Sequence, residues 1–293
     1  MSNSLYILSS AMAAASSSAP SSLPASHKVM PTPIVLVNLV VIGVIVLMVW
    51  FFRRVASPAK FTLAHAPNRP NNLNPAHIVV LLIVWFGGGI AANSAVAHFT
   101  DLLSGPGFVI VILWGQLLWL AASMTVAVIA FPLGLRRGLG LTLRHWVYDS
   151  ARAVVAFLGV LPLCLLVLWI IDLLAPRQKG EINEVLKTMS SLKGPWLWAT
   201  VFSAVVMAPL SEELFFRGLL QSMLRRYTRN PWMAILITSA FFAVVHRPWQ
   251  DMPALFVLAV VLGYNYERCG RLYVPMLIHA VFNGLFTTIQ ITR

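Results

Sequence analysis

The sequence predicts an all-α fold, a multi-pass transmembrane helical bundle of about eight helices. Of its 293 residues, 59% are hydrophobic and only 10% charged, against roughly 25% charged in an average soluble domain. The apolar residues gather into runs at about 34–52, 77–97, 107–131, 153–174, 196–224, 232–249, 253–266 and 272–290. Most of these are near the ~20 residues that a spanning helix needs. The basic residues stand between the runs, where they set orientation in a membrane.

Residues 1–29 are rich in Ser and Ala and carry no charge until Lys28. With no basic stretch ahead of an apolar one, they read as a disordered tail and not as a cleaved signal. Residues 30–194 hold the N-terminal transmembrane helices, and 195–293 form a last group whose polar residues carry the chemistry. The first helix ends at Arg53-Arg54, with Lys60 and Arg69 beyond it. Arg136, Arg137, Arg144 and Arg152 separate the third run from the fourth, Arg225, Arg226 and Arg229 follow the fifth, and Arg268 and Arg271 precede the eighth. The positive-inside rule places these loops in the cytoplasm and the N-terminus outside, as expected of a multi-pass protein of the cell membrane. The loop 175–195 blurs the pattern, mixing Arg177, Lys179, Lys187 and Lys193 with Glu181 and Glu184. The fifth run is too long for a straight span, so tilt or a kink at Pro209 must take up the difference.

Lys and Arg number 21 against 9 Asp and Glu, a formal net charge of +12. Distributed in loops, that charge points to membrane lipids as the partner and not to nucleic acid. Cys164 and Cys269 have neither disulfide nor zinc spacing.

The stretch Ser211-Glu212-Glu213-Leu214-Phe215-Phe216-Arg217-Gly218 puts two adjacent carboxylates into an apolar run. Ionisable groups are expensive there and are kept for function. On a helix Glu213 and Arg217 share a face, four residues apart, while Glu212 points about 100° away, free to face something else. Three further polar points follow: His246 at the end of an apolar helix, with Phe242 one turn before it, and His279 with Asn283 on one face of the last helix. At ~1.5 Å per residue Glu212 lies about 20 Å from Arg225, and His246 about 21 Å from Trp232. His279 and Asn283 lie about 12 and 18 Å from Arg271, so the four can meet in one layer of a core ~30 Å thick. Asn38, Asn93, Gln116 and Asp172 in the first four helices show no such pattern.

Each of these residues also has a plain structural explanation: an internal Glu213–Arg217 ion pair, an interfacial His246, interhelical hydrogen bonds from His279 and Asn283. Glu212 is hardest to explain that way, because one arginine does not satisfy two buried carboxylates. In low dielectric a glutamate is a useful base near neutral pH, so Glu212 with His246 can deprotonate a water attacking a carbonyl. His279 and Asn283 can then donate hydrogen bonds to the developing oxyanion. The set describes amide hydrolysis of a peptide or protein substrate at the membrane. Glutamate and histidine also suit zinc, held by Glu212, His246 and His279, although no His-Glu-x-x-His motif is present. The residues alone do not choose between base and metal. No cofactor is favoured on composition.

Glu212-Glu213-x-x-x-Arg217, Phe242-x-x-x-His246 and His279-x-x-x-Asn283, in that order, resemble the CAAX-protease and bacteriocin-processing (CPBP, or Abi) family of intramembrane endopeptidases. The lead-in Tyr266-Glu267-Arg268-Cys269-Gly270-Arg271-Leu272-Tyr273-Val274-Pro275 is similar to it too, and the likeness covers about 195–290. The resemblance implies a CPBP-type catalytic core in which Glu212 is the water-activating base assisted by His246. It implies an oxyanion hole of His279 and Asn283, with Glu213 and Arg217 organising the site and glutamate chemistry in place of zinc. The sequence His246-Arg247-Pro248-Trp249 departs from the family in a way that bears on the cleft mouth and hence on substrate. A non-catalytic scaffold or immunity protein of the same fold is the alternative, opposed by the complete polar set. A proton-relaying transporter would need a polar pathway or an inverted repeat, and neither is present.

Overall fold

The computed structural model describes residues 32–56, 63, 67, 69–98, 106–175, 192–246 and 249–291. The 1–29 tail, Lys60, Asp101, most of the 175–195 loop, the pair Arg247-Pro248 and the side chain of Asn93 lie outside the described residues. Among those described there is no strand, and the helices run α1 Thr32–Val55, α2 Pro75–His98, α3 Pro106–Ala130, a short α4 Gly134–Gly138, and α5 Trp146–Leu174. They continue as a long α6 Pro195–Thr228, then α7 Pro231–Val244, α8 Met252–Cys269 and α9 Tyr273–Ile291. Every apolar run has become a helix, and the short seventh run is an ordinary 18-residue helix, α8. By length and composition, Ile34–Val55, α3, α5 and α6 can each cross a membrane, while Pro75–Ala91, α7 and Tyr273–Ile289 are shorter apolar helices.

The boundaries have local causes. Proline opens α2, α3, α6 and α7, where its missing N–H is one that the first helical turn leaves unpaired anyway. Asn230 caps α7 by accepting from the N–H groups of Trp232 and Met233 at 2.9 and 3.3 Å. At α2 the cap is reciprocal: His77 N–H donates to Asn74 Oδ1 and Asn74 N–H to His77 Nδ1, both at 3.2 Å.

Helix α5 is the axis of the bundle and packs against α1, α8 and α9. Pro162, inside α5, leaves the Leu158 carbonyl without its usual helical donor. Gly43 of α1 lies against that oxygen and the Pro162 ring so closely that a Cβ would stand 2.3 Å from the oxygen and 2.9 Å from the ring Cδ, so only glycine fits there. The buried core then runs without a break from Leu81 of α2 and Trp119 of α3 through Leu161 of α5 to Phe216 of α6 and Phe286 of α9.

The first turns of α5 also fix the α8–α9 corner. Arg271 forks onto the fully buried Asp149, with Nε at 2.8 and 2.7 Å from its two oxygens. Arg152 Nε donates to Asn265 Oδ1 at 3.0 Å. The corner is closed by Gly270, at φ 65°, against Gly140, at φ 67°, and the Leu272 N–H donates to the Leu139 carbonyl at 3.2 Å. A Cβ on Gly140 would lie 1.9 Å from the Gly270 carbonyl oxygen. Gly140→Ala therefore meets both a left-handed backbone and a backbone wall, and is expected to cost about 2–3 kcal/mol, read as a lower unfolding midpoint in detergent. A midpoint equal to the parent's would show that the corner yields easily and does not set the pose of α9.

Candidate active site

Helix α6 carries the two glutamates, and its geometry is irregular on both sides of them. It is π-helical over Ser203–Met207, α-helical over Ala208–Glu213, and π-helical again over Leu214–Gln221. The accommodation expected at Pro209 is thus a widened turn just ahead of it. In the first widened turn the Ala208 N–H reaches the Ser203 carbonyl, five residues back. The next donor in that register would be Pro209, which has no N–H, so the Ala204 carbonyl is left without a helical partner. Asn283 of α9 supplies one: its Nδ2 donates to Ala204 O at 2.8 Å.

That bond makes Asn283→Ala informative. It orphans a carbonyl in the protein interior, expected to cost about 1–3 kcal/mol, and it unfastens α9 from the widened turn before Pro209. Unfolding in detergent reads the first effect. Asn283→Asp, which loses the donor and adds a charge, is expected to be worse than Ala. The reverse order would mean that the bond to Ala204 is immaterial.

Glu213 is fully buried and its Oε1 accepts from two partners, Arg217 Nη1 and His279 Nδ1, both at 2.8 Å. Arg217, equally buried, spends its Nη2 on the Ala259 carbonyl at 3.2 Å and lies 4.7 Å over the Phe242 ring. Phe242 is the packing hub, with ring centroids 4.4 Å from His246 and 5.7 Å from His279. The Glu213–Arg217 pair is present, then, with a third member that spacing alone did not suggest: His279 belongs to it.

Glu212 faces the other way, as the 100° offset requires. Its Oε2 stands 3.7 Å from His246 Nε2, and the two side chains keep 13% and 10% of their surface accessible. At that distance the atoms are not directly hydrogen-bonded, and one water placed to the side of the gap can bond to both. His246 Nδ1 is 2.5 Å from the Phe242 carbonyl. A carbonyl only accepts, so that bond places a proton on Nδ1 and turns Nε2 toward Glu212. Glu212 Oε2 has no hydrogen-bond partner within the protein. The structure therefore brings Glu212 to His246, and Glu213 to Arg217 and His279, with Asn283 fastened about two turns earlier on α6.

Among the described residues no group of three or more His, Cys, Asp or Glu side chains stands close enough to hold a metal ion.

A second buried polar centre escaped the motif reading. Glu267, fully buried on α8, accepts on Oε1 from Arg69 Nη2 at 2.6 Å and from Gln221 Nε2 at 2.9 Å. Arg69 also donates to the Tyr266 carbonyl at 3.2 Å and lies 3.8 Å over that residue's ring. A signal was available: Glu213, Arg217 and Gln221 recur every four residues, the spacing of one face of α6. Arg69 had none, because it lies between helices and 198 residues from Glu267.

With this geometry in view the comparisons become specific. Residues 194–285 match the family profile described as type II CAAX prenyl endopeptidase Rce1-like. Those residues are similar to that family. The match spans α6 to most of α9, and so contains Glu212, His246, His279 and Asn283. The chain is similar to an uncharacterized 24.3 kDa protein of Escherichia coli, at 33% identity over 84 residues, 27% of this chain and 39% of that one. It is similar to the membrane-embedded CAAX protease MroQ of Staphylococcus aureus, 29% identical over 96 residues, 31% of this chain and 39% of the relative. It also resembles the putative membrane peptidase YdiL of Bacillus subtilis, 27% identical over 86 residues, 29% of this chain and 35% of the relative. The chain thus spans 35–39% of the length of these relatives. No solved structure matches it. The Rce1-like segment together with the four long apolar helices makes this an integral membrane protein.

Proposed function

We propose that this protein is an intramembrane endopeptidase that hydrolyses a peptide bond of a membrane-associated peptide or protein. The observation that carries the reading is the facing pair Glu212 Oε2 and His246 Nε2, 3.7 Å apart, inside a segment similar to a family named for endopeptidases. In this reading a water bonds to both atoms from one side of the gap. Glu212 takes its proton as the oxygen attacks the scissile carbonyl, while His246, its Nδ1 proton held by Phe242 O, orients the water through Nε2. The carbonyl oxygen gains charge and is met by His279 and Asn283. His279 has Nε2 to offer, a donor when the ring carries both protons. Asn283 has the second N–H of an amide whose first is bonded to Ala204 O. The proton on Glu212 then passes to the leaving amine as the C–N bond breaks. Glu213 and Arg217 hold the His279 ring in place. No step uses a metal.

The test is cleavage of a membrane-tethered peptide library by protein reconstituted into vesicles, with wild type and Glu212→Gln side by side. Products from wild type alone, unchanged by a chelator, support the reading. Equal cleavage by both would remove Glu212 from the chemistry and with it the proposal.

A further inference from the structure

At the end of α6, away from Glu212, the structure holds a cavity of about 580 Å³ lined by Arg69, Arg225, Arg226 and Arg229, with Ser222 and Asn71 between them. We propose that it is a binding site for a phosphate-type anion, with the headgroup of an anionic membrane lipid as its occupant.

Charge is the first argument. Four guanidinium groups line the cavity, and among the described residues the acid that reaches them is Glu267, paired with Arg69 at 2.6 Å and 3.9 Å from Arg225 Nε. Three positive charges are left over. A chain that surrounds a cavity with uncompensated arginines incurs mutual repulsion, which an anion seated there relieves.

Donor accounting is the second. Arg226 gives Nη1 to the Leu73 carbonyl at 3.0 Å, and Arg229 has no side-chain bond to any described residue. Arg69, only 6% exposed, keeps a buried Nε with no hydrogen-bond partner. Guanidinium forks match phosphate oxygens two at a time.

Construction and position are the third. Arg69 is fixed by Glu267 and Tyr266, and the cavity's other walls are Pro67, Pro70 and Pro132, so the site is held open by stiff chain. Arg229 is in the left-handed region at φ 56°, a conformation that a bulky residue adopts at a cost and that here keeps it beside the cavity. The site lies where α3 and α6 end and α2 and α7 begin, with Tyr227 and Trp232 exposed beside it, side chains that favour the headgroup level of a membrane. Helix α6 rises about 20 Å between Glu212 and Arg225, which separates this cavity from the candidate active site.

The experiment measures lipid binding to delipidated protein in neutral detergent by native mass spectrometry. The probes are phosphatidylglycerol, phosphatidylcholine and inorganic phosphate. The test variant is Arg226→Gln/Arg229→Gln. The control is Arg136→Gln/Arg137→Gln, which removes the same charge from exposed positions of α4 that do not line the cavity. Wild type is expected to retain phosphatidylglycerol over phosphatidylcholine, the test variant to bind it about tenfold or more weakly, and the control within about twofold of wild type. If inorganic phosphate alone binds wild type and not the test variant, the site stands and its anion is free phosphate. If the test variant binds both phosphatidylglycerol and inorganic phosphate as wild type does, or the control loses as much, the proposal is overturned. Arg229→Gln alone, which breaks no side-chain hydrogen bond to a described residue, guards against misfolding and is expected to weaken binding about threefold.

Discussion

Glu212→Gln is expected to lower peptide cleavage by about three orders of magnitude or more, in the upper part of what a positioned general base contributes, while leaving the unfolding midpoint within a degree or two. Both halves follow from the same contacts. The substitution keeps the shape of the side chain and removes the lone-pair basicity at an oxygen, Oε2, that has no hydrogen-bond partner in the protein. It breaks no internal bond, and it takes a charge out of an apolar helix. His246→Gln is expected to fall less far, about ten- to a hundredfold, because it removes the group that orients the water and leaves the base. Steady-state cleavage and thermal unfolding of the same preparations separate chemistry from folding. Cleavage by Glu212→Gln within tenfold of wild type would place the base elsewhere. Loss of cleavage together with loss of fold would make Glu212 a structural residue and sink the catalytic assignment.

What was legible beforehand divides along physical lines. The helices were readable because length and hydrophobicity determine them locally: each apolar run from 34–52 to 272–290 corresponds to a helix. The Glu213–Arg217 pair was readable because both lie on one helix at fixed spacing. What could not be read was partner choice across helices. Nothing in the spacing says that His279 turns Nδ1 onto Glu213, or that Asn283 spends a donor on Ala204 O. The second of these has a cause visible only after the fact, in the missing N–H of Pro209 and the widened turn before it. Nor could the Arg69–Glu267 pair be seen, since it joins an interhelical segment directly to α8, with Gln221 of α6 donating to the same oxygen.

The buried triad of Glu213, Arg217 and His279 leads to the other large effect, on stability. Arg217→Met keeps most of the side-chain volume and removes the charge, so its cost measures pairing more than packing. It strips Glu213 of one of its two partners, frees the Ala259 carbonyl that Nη2 satisfies, and ends the contact with the Phe242 ring. Breaking a buried pair from one side is expected to cost about 3–5 kcal/mol, because a charge is left behind without its counterion. Adding Glu213→Gln to Arg217→Met takes away that stranded charge, and the double variant is expected to be more stable than Arg217→Met alone by about 1 kcal/mol or more. Unfolding of the four proteins of the cycle in one detergent reads the coupling directly. The double variant is expected to remain inactive even where its stability returns, since the His279 ring then faces an amide in place of a carboxylate. If Arg217→Met costs less than about 1 kcal/mol, the remaining bond to His279 suffices to hold Glu213. Arg217 would then be redundant in the frame behind the Glu212–His246 pair.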